Sequence, residues 1–365
     1  MRGLLERCWR QPPQPHRSSQ QQWSALKTQA LIELLSGQTL GALPNHLLGD
    51  RKDPLTICVD GVTWGGAGKT QVVEHLARAW SVRGARVSVL CHGYRAQGRW
   101  REPISLPTSL SQGDLRFGDE AAMLRLTLPT HCQIWVGGTW RSRWESAARS
   151  GAEVVISDGG LYHISRRHLG VIVAPAQLRP RLTPWGDLTR PLQCLPRGSD
   201  YLYWWVDHRI AREDNDQIIE GDVTPERTPE RALTPLLGLR GTPEVISRVY
   251  PRAWLNSVGE ERPLSARWIE PVGALSAIAR PERFDEALSA LGVNIMKRVR
   301  LKDHAEITPE VLDRLTHTPL WLTTMKDLVK LPELMLRRRA INLWALRVSI
   351  TVPIPLQTRE KLNDT

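Results

Sequence analysis

The chain alternates short apolar runs with amphipathic segments, and the two kinds of segment have the lengths of strands and helices. In the first half, the continuous apolar runs predict strands that are buried on both faces. These strands are predicted at 55–59, 85–91, 133–137, 153–157 and 170–174. Between them, apolar residues at helical spacing predict helices that run from Lys69 to near Gly84, over 121–126 and over 140–149. Strands that alternate with helices predict right-handed βαβ units around a parallel sheet.

The second half repeats this alternation after a segment rich in Pro, Arg and Trp. Strands are predicted at 201–206, 245–249, 268–272, 293–299, 320–324 and 343–348, with helices at 281–291 and 309–315. Residues 207–235 are charged and rich in Pro and Thr, which is typical of an exposed connection. We therefore expect an N-terminal segment at 1–50, a first α/β domain at 51–180, and a linker with a second, smaller α/β domain at 181–365.

The stretch from Leu55 to Trp80 combines a strand, a glycine-rich turn and a helix that opens with Lys69 and Thr70. This order suits a phosphate-binding loop (P-loop). Its glycines let backbone N–H groups close around phosphate oxygens, its lysine reaches the β- and γ-phosphates, and its threonine hydroxyl can ligate Mg²⁺. The pattern G-x-x-x-x-G-K-S/T fails at its first position, which Thr63 occupies. A chance Lys-Thr after a glycine-rich turn is the alternative.

Several polar groups follow predicted strands, where ligands bind in parallel α/β sheets. Asp158 ends one apolar strand, as the second Mg²⁺-side acid of P-loop proteins does, although a helix cap or turn would use the same residue. His92 and His163 lie in segments that follow strands. Asp119 and Glu120 open a predicted helix, where they could serve a metal or act as a base, or only complement the helix dipole.

Two dipeptides in the second half are further candidates for chemistry. In Asp303-His304, a carboxylate could orient an imidazole that accepts a proton, but a solvated turn has the same composition. Lys326-Asp327 follows the predicted strand at 320–324 and is a weak signal alone.

The net charge and the tryptophan content favour some classes of partner but do not identify one. The formal net charge of +11 favours an anionic partner such as a nucleotide, a nucleic acid or an anionic membrane face, or indicates only a solvated basic surface. The 15 Trp against 2 Phe mildly favour a membrane surface, with compositional bias as the alternative.

Targeting and redox features are few. Five dispersed cysteines without C-x-x-C spacing argue against a disulfide framework or a zinc site and favour a reducing compartment. The sequence has no pattern of a signal peptide and no apolar run of transmembrane length. Apolar residues between Trp23 and Leu35 predict an amphipathic helix that could lie on a membrane surface or pack on the domain.

Seven segments, taken in order, resemble those of the tetraacyldisaccharide 4′-kinase family of the lipid A pathway. They are Thr63–Thr70, Cys91–Tyr94, Gly118–Glu120, Asp158–His163, Ala277–Phe284, Asp303-His304 and Thr323–Asp327. The family has Ser or Thr at the first position of the loop, so Thr63 fits this family better than the generic pattern. The order and spacing of the segments hold from about residue 55 to 331.

The resemblance implies an ATP-dependent lipid kinase. Such an enzyme transfers the γ-phosphate of ATP to the 4′-hydroxyl of tetraacyldisaccharide 1-phosphate and gives lipid IVA. The implied fold is α/β: a P-loop NTPase-like parallel sheet flanked by helices, with a second, smaller α/β domain and the cleft between the two. The implied location is the cytoplasmic face of the bacterial inner membrane, where the N-terminal segment docks peripherally. We expect no nucleic-acid partner and no obligate protein partner.

The resemblance also implies roles for individual residues. Asp119 would be the base, paired with His304, with Asp158 and His163 at the same catalytic edge. Thr70 and Glu120 would ligate Mg²⁺. The residues implied to bind ATP are Thr63, Trp64, Gly65, Gly66, Ala67, Gly68, Lys69 and Thr70.

The chain departs from the family at several positions. The second Asp of an acidic pair is Gly159, a Gln is Tyr162 and a Glu is Met325, and the N-terminal segment is less apolar than is usual in the family. Losing carboxylates near a metal should weaken Mg²⁺ binding unless neighbouring groups compensate. A non-catalytic nucleotide-binding homologue and another P-loop NTPase are therefore the alternatives to the kinase.

Overall fold

The computed structural model describes residues 53–61, 63, 65–93, 96–98, 100–110, 113–163, 168–176, 200–208, 244–266, 268, 271–303 and 305–355. The predicted helix near the N-terminus and most of the predicted connection at 207–235 lie outside the described residues. Trp64 and His304 also lie outside them.

The first half forms the parallel sheet that the alternation of strands and helices predicts. Its strands are β1 (Leu55–Gly61), β2 (Val87–Leu90), β3 (Ile104–Ser105), β4 (Gln133–Val136), β5 (Val154–Asp158), β6 (His168–Pro175) and β7 (Asp200–Asp207). Its helices are α1 (Lys69–Ser81), α2 (Asp119–Thr127) and α3 (Trp140–Arg149). The sheet order is β7-β6-β1-β5-β2-β4-β3, and all neighbours are parallel except β3, which pairs antiparallel with β4.

The second half is a mixed sheet with short helices. Its strands are β8 (Glu244–Asn256), β9 (Glu261–Arg262), β10 (Val272–Ser276), β11 (Ile295–Arg300), β12 (Leu320–Thr324), β13 (Asn342–Ile350) and β14 (Ile354–Pro355). Its helices are α4 (Pro281–Ala290), α5 (Pro309–Leu315), α6 (Met325–Leu328) and α7 (Glu333–Arg338). The order β11-β10-β12-β13 is parallel throughout, and β13 then pairs antiparallel with β8.

The strand β8 connects the two halves through backbone hydrogen bonds. Its residues 244–248 pair with β7, and its residues 249–256 pair with β13, so the described strands form one continuous sheet. The sequence predicted only five residues of this strand. The division into domains at 51–180 and 181–365 stays a prediction.

The predicted strand at 268–272 overlaps the observed strand β10 only at Val272. Trp268 lies outside any strand and packs its ring against Trp254 and Trp344, at centroid distances of 5.5 and 5.9 Å. Its apolar side chain therefore covers the core from a loop, and β10 begins only at Val272.

The core lies where the periodicity places it. The predicted face of α1 is buried against the sheet, and β2 and β5 are buried at every residue, as continuous apolar runs predict. Burial on both faces fixes the carboxyl ends of β1, β2 and β5 side by side, which positions the loops that follow them. Among the described helices, none combines the length and the apolar character that crossing a bilayer requires.

Candidate active site

The loop between β1 and α1 is built on glycines in the left-handed region. Gly65, Gly66 and Gly68 have φ of 56°, 63° and 95°, values that residues with a Cβ adopt only with strain. A Cβ at Gly68 would also lie 3.0 Å from a methyl group of Val206 on β7. The chain can therefore turn tightly from the sheet into α1 only with glycine at these positions.

The amino end of α1 suits an anion. Gly68 is its N-cap and provides no side chain to cap the helix, and the first turn contains no acidic residue. Lys69 and Thr70 are its first two residues, so an ammonium and a hydroxyl lie beside unpaired N–H groups. Ala67 is buried in the main core, which anchors the loop.

Lys69 lies between two carboxylates that end neighbouring strands. Its Nζ is 3.8 Å from Asp158 Oδ1 and 3.9 Å from Asp60 Oδ1. The charge of Asp158 raises the pKa of Lys69, so the ammonium stays protonated at neutral pH. A cation at the turn and carboxylates at the strand ends are the groups that hold a phosphate with its metal.

Asp158 is the most enclosed of these acids. Its side chain is 3% exposed, and neither carboxylate oxygen accepts a hydrogen bond from the residues that the structure describes. The ammonium of Lys69 is beyond normal hydrogen-bonding distance. Burial raises the pKa of Asp158, and the charge of Lys69 opposes that rise. A buried carboxylate that lacks donors is well suited to a cation.

The acidic residues that open α2 interact electrostatically with Lys69 and Asp158 as well. Asp119 is buried, and its carboxylate accepts the backbone N–H of Glu120 at 3.0 Å. Burial, and then the charge of Asp158, raises the pKa of Glu120. The charge of Lys69 lowers it. The structure therefore brings Lys69, Asp158 and Glu120 into one electrostatic cluster.

Two other predicted site residues, His163 and Thr63, differ from each other in solvent exposure. His163 is exposed in a short 3₁₀ turn, and its ring stacks on Trp140 at a centroid distance of 5.8 Å. Thr63 is buried, and its hydroxyl has no hydrogen-bond partner among the described residues.

Residues of the second half touch the phosphate-binding loop, and sequence reasoning assigned them no role. A guanidinium N–H of Arg283 donates to the carbonyl of Gly66, 217 positions away. A Cβ at Gly65 would lie 2.8 Å from the Cβ of Ala279. The signal was the segment Ala277–Phe284, which carried the family resemblance without any assigned role.

A buried ion pair supports the segment that carries these contacts. Asp327 accepts the N–H of Ala277 at 2.9 Å and the hydroxyl hydrogen of Thr324 at 2.8 Å. Lys330 donates to Asp327 at 2.8 Å and reaches the carbonyl of Ala277 at 3.4 Å. Both charged side chains are nearly inaccessible to solvent. This pair fixes the turn after β10 that faces the glycine loop.

The neighbours of Asp327 in α6 have different environments. Lys326 forms an ion pair with Asp303 at 3.7 Å, and its charge lowers the pKa of both Glu120 and Asp158. Met325 is buried in the apolar core of the second half. The departure at Met325 therefore places an apolar side chain inside the protein, while Lys326 acts on the acidic cluster.

Within the described ranges, no three His, Cys, Asp or Glu side chains form a group that could enclose a metal ion. Magnesium at a phosphoryl-transfer site typically takes only one or two carboxylates and completes its shell with substrate phosphates and water. Asp158, Glu120 and the hydroxyl of Thr70 supply oxygen ligands of this kind. The residues present therefore fit a magnesium ion that arrives with a nucleotide.

Residues 45–365 match the family model described as tetraacyldisaccharide-1-P 4′-kinase. A relative named tetraacyldisaccharide 4′-kinase, from Caulobacter sp. (strain K31), is 28% identical over 302 residues that cover 81% of each chain. Another with this name, from Elusimicrobium minutum (strain Pei191), is 28% identical over 349 residues, covering 88% of this chain and 87% of its own.

Among solved structures, the chain is similar to that of LpxK from Aquifex aeolicus, described as an "apo" form in complex with ATP. The TM-score is 0.58 at 24% identity, with 92% of this chain and 94% of that chain covered. This likeness confirms the predicted α/β fold, a largely parallel sheet flanked by helices.

Proposed function

The chain belongs to the tetraacyldisaccharide-1-P 4′-kinase family, and we propose that it transfers the γ-phosphate of ATP to the 4′-hydroxyl of tetraacyldisaccharide 1-phosphate. The observation that carries this proposal is the cluster of Lys69, Asp158 and Glu120 at the end of the glycine loop. Phosphoryl transfer requires cations and carboxylates around the transferred group and little covalent chemistry from the protein. A glycine loop that opens a helix supplies the complementary N–H donors.

In this proposal, each residue of the site has a separate role in phosphoryl transfer. Lys69 neutralises the β- and γ-phosphates, while the loop glycines present N–H groups to them. The acceptor oxygen attacks the γ-phosphorus, the bond from that phosphorus to the bridging oxygen breaks, and ADP leaves with that oxygen. Asp119 accepts the proton of the hydroxyl, with His304 as its partner. Asp158 and His163 belong to the same edge.

We assign magnesium to Thr70, Glu120 and the neighbouring Asp158. When bound, the ion neutralises developing charge on the phosphate oxygens. The lack of hydrogen-bond donors on Asp158 among the described residues supports this assignment. Gly159 offers no second carboxylate beside it, so we expect weaker magnesium binding than a pair of acids would give.

The acceptor is a lipid, so the enzyme must meet a membrane. We propose that residues 1–50 dock on the cytoplasmic face of the inner membrane through the amphipathic helix predicted between Trp23 and Leu35. The net charge of +11 supports this location, because anionic headgroups attract a basic surface.

The test incubates the purified full chain with ATP, Mg²⁺ and tetraacyldisaccharide 1-phosphate in detergent micelles. Mass spectrometry detects the added phosphate, and ³¹P NMR identifies the hydroxyl that carries it. We expect product from the wild type and none above background from Lys69→Met. The matched control is Lys297→Met, which removes a lysine that donates to the carbonyl of Arg314 on the second half, and which should retain activity.

Two results would contradict the proposal in different ways. A folded protein that binds ATP but gives no product would be a non-catalytic nucleotide-binding homologue. A folded protein that binds no nucleotide would contradict the interpretation of Gly61–Thr70 as a phosphate-binding loop.

A further inference from the structure

The ring of His92 occupies the space that a side chain at position 159 would need. The strands β2 and β5 are parallel with Leu90 opposite Ser157, so His92 and Gly159 both lie two positions beyond this pair. A Cβ at Gly159 would be 2.9 Å from Cδ2 of His92, closer than real Cβ contacts allow, and 3.3 Å from Nε2. The departure from the family at 159 therefore lies against the ring of His92.

The turn at Gly159 is fixed independently of the ring. Gly159 has φ of 89°, and its N–H donates to the carbonyl of Val59 at 2.7 Å. The hydrogen bond to the end of β1 holds this turn against the sheet, beside the strand that leads into the glycine loop. The imidazole therefore lies against a turn that is hydrogen-bonded to the carboxyl edge of the sheet.

The charges that act on the ring include those of the phosphate site. Burial and the charges of Arg143 and Lys69 lower the pKa of His92, while Asp60 and Glu120 act in the opposite direction. The lowered pKa favours the neutral form of the imidazole. A neutral imidazole carries one N–H donor and one acceptor, so it can donate to a phosphate oxygen without adding a charge.

We propose that His92 donates a hydrogen bond to the transferred phosphoryl group, and that glycine at position 159 leaves the space its ring requires. This inference rests on the proposed function, because it assumes that the nucleotide lies on the glycine loop. Together with Lys69, an N–H donor directed at the γ-phosphate would stabilise the charge that this group carries during transfer. In this proposal, a donor from the segment that follows β2 takes the place of a carboxylate at 159.

The experiment compares the affinities for ADP and for β,γ-methylene-ATP by isothermal titration calorimetry. His92→Phe keeps a ring of similar shape but removes the donor. We expect it to weaken binding of the ATP analogue about 10-fold, the low end for a hydrogen bond to a charged group, with ADP affinity unchanged. His92→Gln restores an N–H donor and should recover part of the loss. Equal losses for both nucleotides, or no loss, would overturn the proposal.

The matched control is His131→Phe. Its Nε2 pairs with the hydroxyl of Ser81 at the carboxyl end of α1, far along that helix from the glycine loop. Both affinities should be unchanged in this variant.

A double-mutant cycle tests the link to position 159. Gly159→Ala should displace the ring and cause the same selective loss, and in the His92→Ala background it should add no further selectivity. Additive losses would show that the two positions act separately. Thermal melting checks that each variant folds. If Gly159→Ala does not fold, the nucleotide affinities of His92→Phe alone decide whether His92 has the proposed role.

Because these measurements need no phosphoryl transfer, an inactive enzyme that still distinguishes the two nucleotides through His92 would contradict only the proposed function. An active enzyme without this selectivity would contradict only the role of His92.

Discussion

Asp158→Asn should stabilise the protein while it impairs phosphoryl transfer. The carboxylate is 3% exposed, and no described residue donates a hydrogen bond to it, so its ionised form is poorly solvated. Lys69 offsets this only in part. At 3.8 Å, Coulomb attraction in a medium of effective dielectric about 20 is about 4 kcal/mol, and less here because Lys69 is one-third exposed. Desolvation of a buried ion costs several kcal/mol.

Removing the charge does not leave a buried lysine behind, because Lys69 remains accessible to water and keeps Asp60 at 3.9 Å. We therefore expect a gain of about 1–2 kcal/mol in the free energy of unfolding, at the low end for neutral replacements of buried ionic groups. The melting temperature should rise by about 1–3 °C for a chain of this size. Turnover should fall about 100-fold, as is usual when an electrostatic contact to the transition state is lost.

The gain should depend on pH with a defined sign. Burial raises the pKa of Asp158 in the folded state, so between about pH 4 and that raised value the folded wild type binds more protons than the unfolded chain. The free energy of unfolding of the wild type therefore falls as pH rises through this window. Asp158→Asn has no carboxyl group at this position, so its stability does not fall for this reason. The difference in melting temperature should be small near pH 4 and should grow as pH rises through this window.

Differential scanning calorimetry across this pH range measures the effect. The matched control is Asp60→Asn, because Asp60 also faces Lys69 but accepts the N–H of Gly61 at 2.8 Å and is partly exposed. This control should not gain stability. A lower melting temperature for Asp158→Asn at pH 7.5, or a difference independent of pH, would refute the reasoning.

Three further variants test the support of the glycine loop. Gly68→Ala places a Cβ at φ of 95° and should weaken ATP binding and destabilise the fold by about 1–2 kcal/mol, measured by calorimetry and urea unfolding. Arg283→Met removes the donor to the carbonyl of Gly66 and should raise the KM for ATP about fivefold. Arg283→Lys keeps a donor and should raise the KM less. An unchanged KM in Arg283→Met would contradict a role for this contact. Asp327→Asn leaves the buried ammonium of Lys330 without a counter-charge and should cost about 3–5 kcal/mol in urea unfolding; a cost below 1 kcal/mol would contradict this role of the ion pair.

Local signals predicted the elements that begin with a clear cap. The predicted bounds of α3 and α5 match the structure, since Thr139 caps α3 through a reciprocal pair with Ser142 and Pro309 opens α5. The helices α6 and α7 were missed because four and six residues are too short to show a helical period. Element type is thus encoded locally where a terminus is marked and the segment is long.

The candidate site was predictable only as far as strand ends define it. Asp158 follows a fully buried strand, so its position at the carboxyl edge beside Lys69 follows from the sheet rule. The contact of Arg283 with Gly66 depends on how two distant segments pack, and no periodicity encodes this. The fit of His92 over Gly159 depends on the register of β2 and β5, which the composition of either strand leaves undetermined.

The long strand β8 has a mechanical consequence for substrate entry. It is paired on one edge with β7 and then β9, and on the other with β14 and then β13. A rigid-body swing of one half away from the other would have to break these backbone hydrogen bonds, each worth about 1 kcal/mol. The sheet can instead change its twist along β8 by small amounts while the hydrogen bonds between its strands stay intact. Small changes in that twist would alter the gap between Arg283 and the glycine loop, so nucleotide binding is expected to stiffen both halves together.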